Sequence, residues 1–120
     1  MSKIMVIEED HAMRTLISEW LAAEGHEVIS MSRPGGARGG PVVDLVILDL
    51  PQLRSHGSEI TQVVKEVGLA YPSASVIGIS TRLGRSLDAR SGAARAFGVD
   101  RVLAKPCSRD ELLGAVADIL

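Results

Sequence analysis

Five short apolar runs alternate with segments of helical period, and this alternation limits the folds open to the chain. The runs are "KIMVI" (3–7), "HEVISM" (26–31), "DLVIL" (44–48), "ASVIGIS" (74–80) and "RVLA" (101–104). Several are apolar at almost every position, which is typical of parallel strands that are covered on both faces. We therefore predict an α/β domain with a doubly wound, five-stranded parallel sheet.

Apolar residues at three- and four-residue spacing predict the helices that separate these strands. A Gly/Pro-rich segment over 32–41 supports at most a frayed helix. The other predicted helices are marked by Met13 to Leu21 followed by Gly25, by Ile60 to Gly68, by residues 84–97, and by a capping box, Ser108-x-x-Glu111, that opens the last helix.

Composition excludes several classes of protein. The 120 residues argue for one domain, 1–120, and the net charge of −2 gives no general attraction to nucleic acid or anionic membranes. The single cysteine, Cys107, cannot form an internal disulfide, and we interpret it as a core residue in a reducing compartment. Neither a signal peptide nor a membrane-spanning run is recognisable, so we expect a cytoplasmic protein.

Polar residues stand where four of the predicted strands end. Glu8 and Glu9 follow the first strand, Asp49 the third, Ser80 the fourth and Lys105 the fifth. Parallel strands end at one edge of their sheet, which is where ligands bind in such folds. Burying a charge without a partner is costly, so a carboxylate at the end of a buried strand predicts either a cap or chemistry.

The order and spacing of these residues resemble the receiver domain of bacterial two-component response regulators. The likeness extends essentially from end to end, and it includes Gly57 eight positions after Asp49 and the pair Lys105-Pro106. It implies a flavodoxin-like sheet with strand order 2-1-3-4-5. It also implies a signalling switch rather than an enzyme with its own substrate.

The resemblance implies a phosphoacceptor role for Asp49, which would take a phosphoryl group from a phosphohistidine. Lys105 would pair with Asp49 and then with a phosphoryl oxygen. Ser80 would move to hydrogen-bond the phosphoryl group, which is a shift of population rather than a new fold.

The resemblance also implies a Mg²⁺ site beside Asp49. Its ligands would be Glu9, Asp49 and the backbone carbonyl of Pro51, with Glu8 acting through water. Hard, octahedral Mg²⁺ prefers oxygen ligands of this kind.

Three departures from the family pattern bear on this site. The acidic pair is Glu-Glu, and the longer Glu9 predicts weak Mg²⁺ binding, because Mg²⁺–oxygen distances tolerate little error. Proline stands at position 51, nearer to Asp49 than usual, where it restricts the loop. Val102 replaces the aromatic residue that swings inward in many receivers, so we expect a response confined mainly to the loop after Ser80.

The implied partners are a sensor histidine kinase or phosphotransfer protein, and a downstream protein or fused output domain. We expect no direct nucleic-acid binding, no membrane association, and a monomer or weak homodimer. A basic stripe in the fourth-helix region would suit an acidic partner, or it is a solvated helix face. Its members are Arg82, Arg85, Arg90, Arg95 and Arg101.

Other interpretations stay open at this point. The run Glu8-Glu9-Asp10 could have no role beyond a favourable interaction of its negative charges with the N-terminus of the helix that follows. The Glu-Glu pair, the displaced proline and Val102 favour a degenerate pseudo-receiver, an interaction module that works without phosphorylation. A ligand-binding or hydrolytic flavodoxin-like domain is disfavoured, because no Gly-rich phosphate loop follows the first strand.

Overall fold

The computed structural model describes residues 2–33, 42–50, 58–80, 98–105 and 107–120. Within these ranges the chain forms five strands and three helices. The strands are β1 (Lys3–Ile7), β2 (Glu27–Met31), β3 (Leu45–Asp49), β4 (Ser75–Ser80) and β5 (Arg101–Ala104). The helices are α1 (His11–Ala23), α2 (Ser58–Ala70) and α3 (Arg109–Ile119).

The strands form one parallel sheet in the order β2-β1-β3-β4-β5. Ile47 at the centre of β3 pairs with Val6 of β1 on one side and with Ile77 of β4 on the other. The predicted fold class and strand order are therefore confirmed. Because the order reverses direction between β1 and β3, the carboxyl ends of these two strands flank a crevice.

Both faces of the sheet are covered, which explains why its central strands are apolar at nearly every position. Alternate residues of β1 point to opposite faces, so Ile4 and Val6 join the core beneath α1 and α3, whereas Met5 and Ile7 join the core beneath α2. Helix side chains complete these cores, with Ile17, Leu21, Leu112, Ala115 and Val116 on one face and Val64 and Val67 on the other.

Local signals in the sequence account for the ends of the helices. The Asp10 carboxylate accepts a 2.8 Å hydrogen bond from the Met13 N–H and begins α1, and the Ser108 hydroxyl accepts one of 3.0 Å from the Glu111 N–H and begins α3. After α1 the chain turns at Gly25, whose φ of +90° suits glycine.

Several sequence predictions fall outside the described residues. These are the helix over 84–97, most of the Gly/Pro-rich segment 32–41, the positions of Pro51 and Gly57, and the arginines of the fourth-helix region other than Arg101. Among the helices that the structure describes, none has the length and apolar character needed to cross a membrane.

Leu50, directly after Asp49, packs over a glycine in the neighbouring strand. A Cβ atom on Gly78 would lie 2.8 Å from Leu50 Cδ1 and 3.0 Å from its Cγ, closer than carbon atoms approach. Leu50 is only 2% exposed and its N–H donates a 2.8 Å hydrogen bond to the Ile79 carbonyl, so it has little room to move. The missing side chain of Gly78 thus sets where the chain leaves Asp49.

Gly78→Ala should destabilise the protein by about 1–3 kcal/mol, the usual cost of overpacking a core. Gly68→Ala is the matched control, because no atom lies within 4 Å of its added Cβ and α2 would gain helix propensity. Urea denaturation of both variants measures the difference. In a Leu50→Ala background the added cost of Gly78→Ala should be smaller, because the new Cβ no longer meets the Leu50 side chain. Equal stability of Gly78→Ala and Gly68→Ala would contradict the packing argument.

Candidate functional site

The carboxyl ends of four strands bring polar groups to one edge of the sheet. Glu8 follows β1, Asp49 ends β3, Ser80 ends β4 and Lys105 follows β5. Backbone hydrogen bonds hold these ends together, because the Lys105 N–H donates to the Ser80 carbonyl at 2.8 Å and the Glu8 N–H donates to the Met31 carbonyl at 3.0 Å. The edge predicted from the sequence is therefore formed by residues far apart in the chain.

The Lys105 ammonium group lies between two carboxylates. Its Nζ atom is 2.8 Å from Asp49 Oδ1 and 2.8 Å from Glu8 Oε2. The lysine side chain is 15% exposed and that of Asp49 is 25% exposed, so solvent screens this cluster only partly. The contact expected between Lys105 and Asp49 is present.

Glu8 is the most deeply buried charged group of the cluster. It is 2% exposed, and its Oε1 atom accepts a 3.1 Å hydrogen bond from the Asp10 N–H. Its Oε2 atom is buried and forms an ion pair with the Lys105 ammonium, whose Nζ atom lies 2.8 Å away. The ion pair offsets part of the cost of burying this carboxylate.

The pKa values of two groups respond to this crowding. Burial raises the pKa of Glu8 above its ordinary value, and repulsion from the Asp49 charge raises it further. Hydrogen bonds from Lys105 and Asp10 lower this pKa, but they do not cancel the rise. Burial acts to lower the pKa of Lys105, but its hydrogen bonds to Asp49 and Glu8 and the attraction of their charges outweigh this and raise it. Lys105 is therefore charged at neutral pH.

Glu9 lies outside the pocket. Its side chain is 72% exposed, and its Oε1 atom is 3.7 Å from the guanidinium of Arg33, which is 79% exposed. The structure therefore does not bring Glu9, the metal ligand that the resemblance implies, together with Asp49 and Lys105; Glu8 takes the inner place. Successive side chains of an extended segment point to opposite sides, so one of two adjacent acids turns outward. The part of Glu9 in metal binding stays a prediction.

Arg14, in the first turn of α1, is a residue that the sequence reasoning missed. Its guanidinium donates to the Glu8 carbonyl at 2.8 Å and to the Glu9 carbonyl at 3.4 Å, and it contacts His11 Nδ1 at 3.0 Å. It thereby holds the backbone of the acidic pair against α1. An arginine in the first turn of the helix that follows the acidic pair is the sequence signal from which this contact could have been predicted.

The remaining predicted residues have different outcomes. Ser80 is buried at the end of β4, and its carbonyl accepts the hydrogen bond from the Lys105 N–H. Val102 is fully buried opposite Gly78 in the sheet, consistent with a core residue that cannot swing. Pro51 lies outside the described residues, so its carbonyl cannot be placed.

The donor set fits Mg²⁺. The carboxylates of Glu8 and Asp49 converge on the Lys105 Nζ atom, which lies 2.8 Å from one oxygen atom of each. Across the described ranges no group of three or more His, Cys, Asp or Glu side chains is arranged to hold a metal. Mg²⁺ commonly uses one or two carboxylates and keeps several waters, so two carboxylates suffice for it.

The sequence matches no protein-family model and no curated protein. Its structure is similar to many solved chains. The receiver domain of the Francisella response regulator 1452 is 19% identical with a TM-score of 0.71, over 99% of this chain and 96% of that one. A CheY-like receiver domain protein of Methanospirillum hungatei is 17% identical with a TM-score of 0.72, over 98% and 92%.

The response regulator protein TrrA of Thermotoga maritima, solved in complex with Mg²⁺ and a beryllium fluoride, is 23% identical over 100% of both chains, with a TM-score of 0.70. The chain therefore has the fold of CheY-like response regulator receiver domains, and the resemblance drawn from its sequence is confirmed at the level of the fold.

Proposed function

We propose that this chain is a phosphoacceptor receiver of two-component signal transduction. Asp49 accepts a phosphoryl group from a phosphohistidine of a sensor histidine kinase or phosphotransfer protein, and the phosphorylated form switches a protein partner or output domain. The observation that carries the proposal is the 2.8 Å contact of Lys105 Nζ with Asp49 Oδ1 at the carboxyl edge of a receiver-type sheet.

The proposed reaction is a displacement at phosphorus. A carboxylate oxygen of Asp49 forms a bond to the phosphorus atom while the bond to the histidine nitrogen breaks and its electron pair stays with the imidazole. Such transfers depend mainly on positioning and charge neutralisation. Lys105 Nζ, 2.8 Å from Asp49 Oδ1, would donate to a phosphoryl oxygen on Asp49, and Mg²⁺ would supply further positive charge when bound.

Ser80 supports the switching step of the proposal. It ends β4 next to Asp49's strand, and its carbonyl is bonded to the backbone of Lys105. A hydroxyl that turns toward a new phosphoryl group would move the segment that follows β4, which shifts an existing equilibrium. We further propose a cytoplasmic switch, monomeric or weakly dimeric, that does not itself bind nucleic acid or membranes.

Incubation of the protein with acetyl phosphate and Mg²⁺ tests the proposal. The intact mass should increase by one phosphoryl group, and hydroxylamine should remove the label because an acyl phosphate is formed. Omission of Mg²⁺ is the control. A protein that binds beryllofluoride but never takes up label from acetyl phosphate or a kinase would contradict phosphoryl transfer.

A pseudo-receiver is the second candidate, and one observation favours it. Lys105 is already held by two carboxylates while Glu9 faces solvent, so the ammonium group that would meet a phosphoryl group is paired in the resting cluster. In that case the protein should bind its partner equally well with and without acetyl phosphate. A change in partner affinity on phosphorylation would exclude this alternative.

A further inference from the structure

The strand β2 lies at one edge of the sheet, and an open groove runs between this edge and α1. We propose that β2 pairs antiparallel with β2 of a second copy of this chain, which joins the two five-stranded sheets across a two-fold axis. This surface goes beyond the proposed function, and it is independent of phosphoryl transfer to Asp49.

The backbone of β2 carries hydrogen-bonding groups on its outer side. The Glu27 N–H donates a 2.9 Å hydrogen bond to the Ser2 carbonyl, so the odd-numbered residues of the strand face β1. The N–H and C=O groups of Val28 and Ser30 therefore point away from the sheet. Within the described residues these groups have no hydrogen-bond partner. An edge in this state is a template for pairing with another chain.

The strand lacks the features that commonly block an exposed edge. All of its residues, Glu27–Met31, pair with β1 in unbroken register, so no bulge within this strand twists the edge away. It contains neither lysine nor proline, and its one charge, Glu27, lies at its first position. Val28 and Ile29 are β-branched and favour the extended backbone that pairing needs.

The groove beside this edge indicates which partner fits. Val28 and Ser30 line it from β2, and six residues line it from α1: His11, Arg14, Thr15, Ser18, Glu19 and Ala22. A two-fold axis perpendicular to the sheet would place both copies of α1 on the same face, side by side and antiparallel. The short side chains of Thr15, Ser18 and Ala22 leave room for the two helices to approach.

The charges of α1 favour a second copy as the partner. Arg14 and Glu19 both line the groove, with Arg14 nearer the start of the helix. In an antiparallel pair, Arg14 of one copy lies level with Glu19 of the second copy, so opposite charges meet twice across the axis. The Arg14 guanidinium is already held by the Glu8 carbonyl at 2.8 Å, so little side-chain freedom is lost when it meets this charge.

The register follows from the length of the strand. Overlap of the whole of Glu27–Met31 places Ile29 opposite Ile29 of the second copy and Val28 opposite Ser30. Val28 and Ser30 then exchange N–H···O=C bonds, whereas the two Ile29 residues form a pair without hydrogen bonds, with Cα atoms about 4.5 Å apart. One short strand and one side of a helix form a small interface, so the dimer should be weak.

Sedimentation velocity over a range of protein concentrations tests the proposal, and the wild type should shift toward a dimer as the concentration rises. Ser30→Pro removes an outward N–H while the bonds to β1 are kept, and it should weaken dimerisation by about tenfold or more. Ser30→Lys places a charge at the edge and should have the same effect if the proline variant does not fold. Ser30→Thr is the matched control, because it keeps the N–H, and it should dimerise as the wild type does.

Disulfide cross-linking in a glutathione redox buffer tests the register. Ile29→Cys should form an intermolecular disulfide, because a Cα separation of about 4.5 Å lies within the range that a disulfide spans. Glu27→Cys is the control, since its counterpart in this register is Met31 and not residue 27. Cys107 is buried and is shared by both variants.

A wild type that stays monomeric at every concentration would overturn the proposal and leave this edge to a strand from another protein. A dimer that persists unchanged in both Ser30→Pro and Ser30→Lys would overturn it as well, and equal cross-linking of the two cysteine variants would refute the register. Labelling of Asp49 plays no part in these measurements. Their failure would therefore leave the proposed function standing, and a protein that dimerises but is never labelled would refute only that function.

Discussion

Replacing Asp49 by asparagine should abolish incorporation of a phosphoryl group from acetyl phosphate. Asparagine has nearly the same shape as aspartate, and its amide oxygen can still accept the hydrogen bond from Lys105 Nζ that Asp49 Oδ1 accepts at 2.8 Å. It lacks the charged oxygen that attacks phosphorus, so the fold should be kept while the chemistry is lost. Intact-mass measurement of the variant after incubation with acetyl phosphate and Mg²⁺ gives the result directly.

Asp44→Asn is the matched control for this experiment. Asp44 precedes the same strand at its opposite end, where its carboxylate accepts a 2.8 Å hydrogen bond from the Lys3 N–H. Its replacement removes the same charge without touching the pocket, so labelling should continue. Labelling that persists in Asp49→Asn and disappears in Asp44→Asn would refute the assignment of the acceptor.

Lys105→Ala should lower the free energy of unfolding by about 2 kcal/mol at neutral pH, below the range of about 3–5 kcal/mol for fully buried pairs. The reason is that Glu8 and Asp49 would face each other without the ammonium group that lies 2.8 Å from both. The effect is smaller than the full range because Asp49 is 25% exposed. Lys65→Ala on the exposed surface of α2 is the control and should change stability by less than about 0.5 kcal/mol.

The loss in Lys105→Ala should shrink as the pH falls. The pKa of Glu8 is raised in the folded protein by burial and by Asp49, so its ionised form costs stability above that pKa, and protonation relieves the cost as the pH falls through it. Without Lys105 this pKa rises further. Denaturation at pH about 7 and about 5 should therefore show a smaller deficit at the lower pH.

Glu8→Gln provides a second check on the same cluster. Because it removes the buried charge, it should recover most of the stability lost in Lys105→Ala, and the two changes should be strongly non-additive. The stability loss caused by Lys105→Ala could instead be the same at both pH values and in the Glu8→Gln background. That result would indicate that the lost packing of the lysine side chain, rather than its charge, is responsible.

The pattern of apolar runs was enough to predict the strands of the sheet and the polar residues at its carboxyl edge. Strands covered on both faces must be apolar at successive positions, and the chain has five such segments in an alternating α/β order. The polar residues at their ends, Asp49 and Lys105 among them, follow from the rule that parallel strands end at one edge. Strand order came from the likeness to a family, since alternation alone allows several orders.

The same sequence could not decide which of Glu8 and Glu9 faces the pocket. Both are glutamate, and they differ only in what the folded chain places around them. Glu8 meets Lys105, which lies far away in the chain, while the turn that directs it inward is held by Arg14 and by the Asp10 N–H.

The packing of Leu50 against Gly78 shows the same limit. Each residue is unremarkable in the sequence, and their fit exists only because β3 and β4 lie side by side in one register. Local sequence determined the strands, the helix caps and the set of polar residues at the sheet edge, because those depend on periodicity and neighbouring atoms. Tertiary structure alone decided which carboxylate is buried and where the chain leaves Asp49, because those depend on contacts between strands that are remote in sequence.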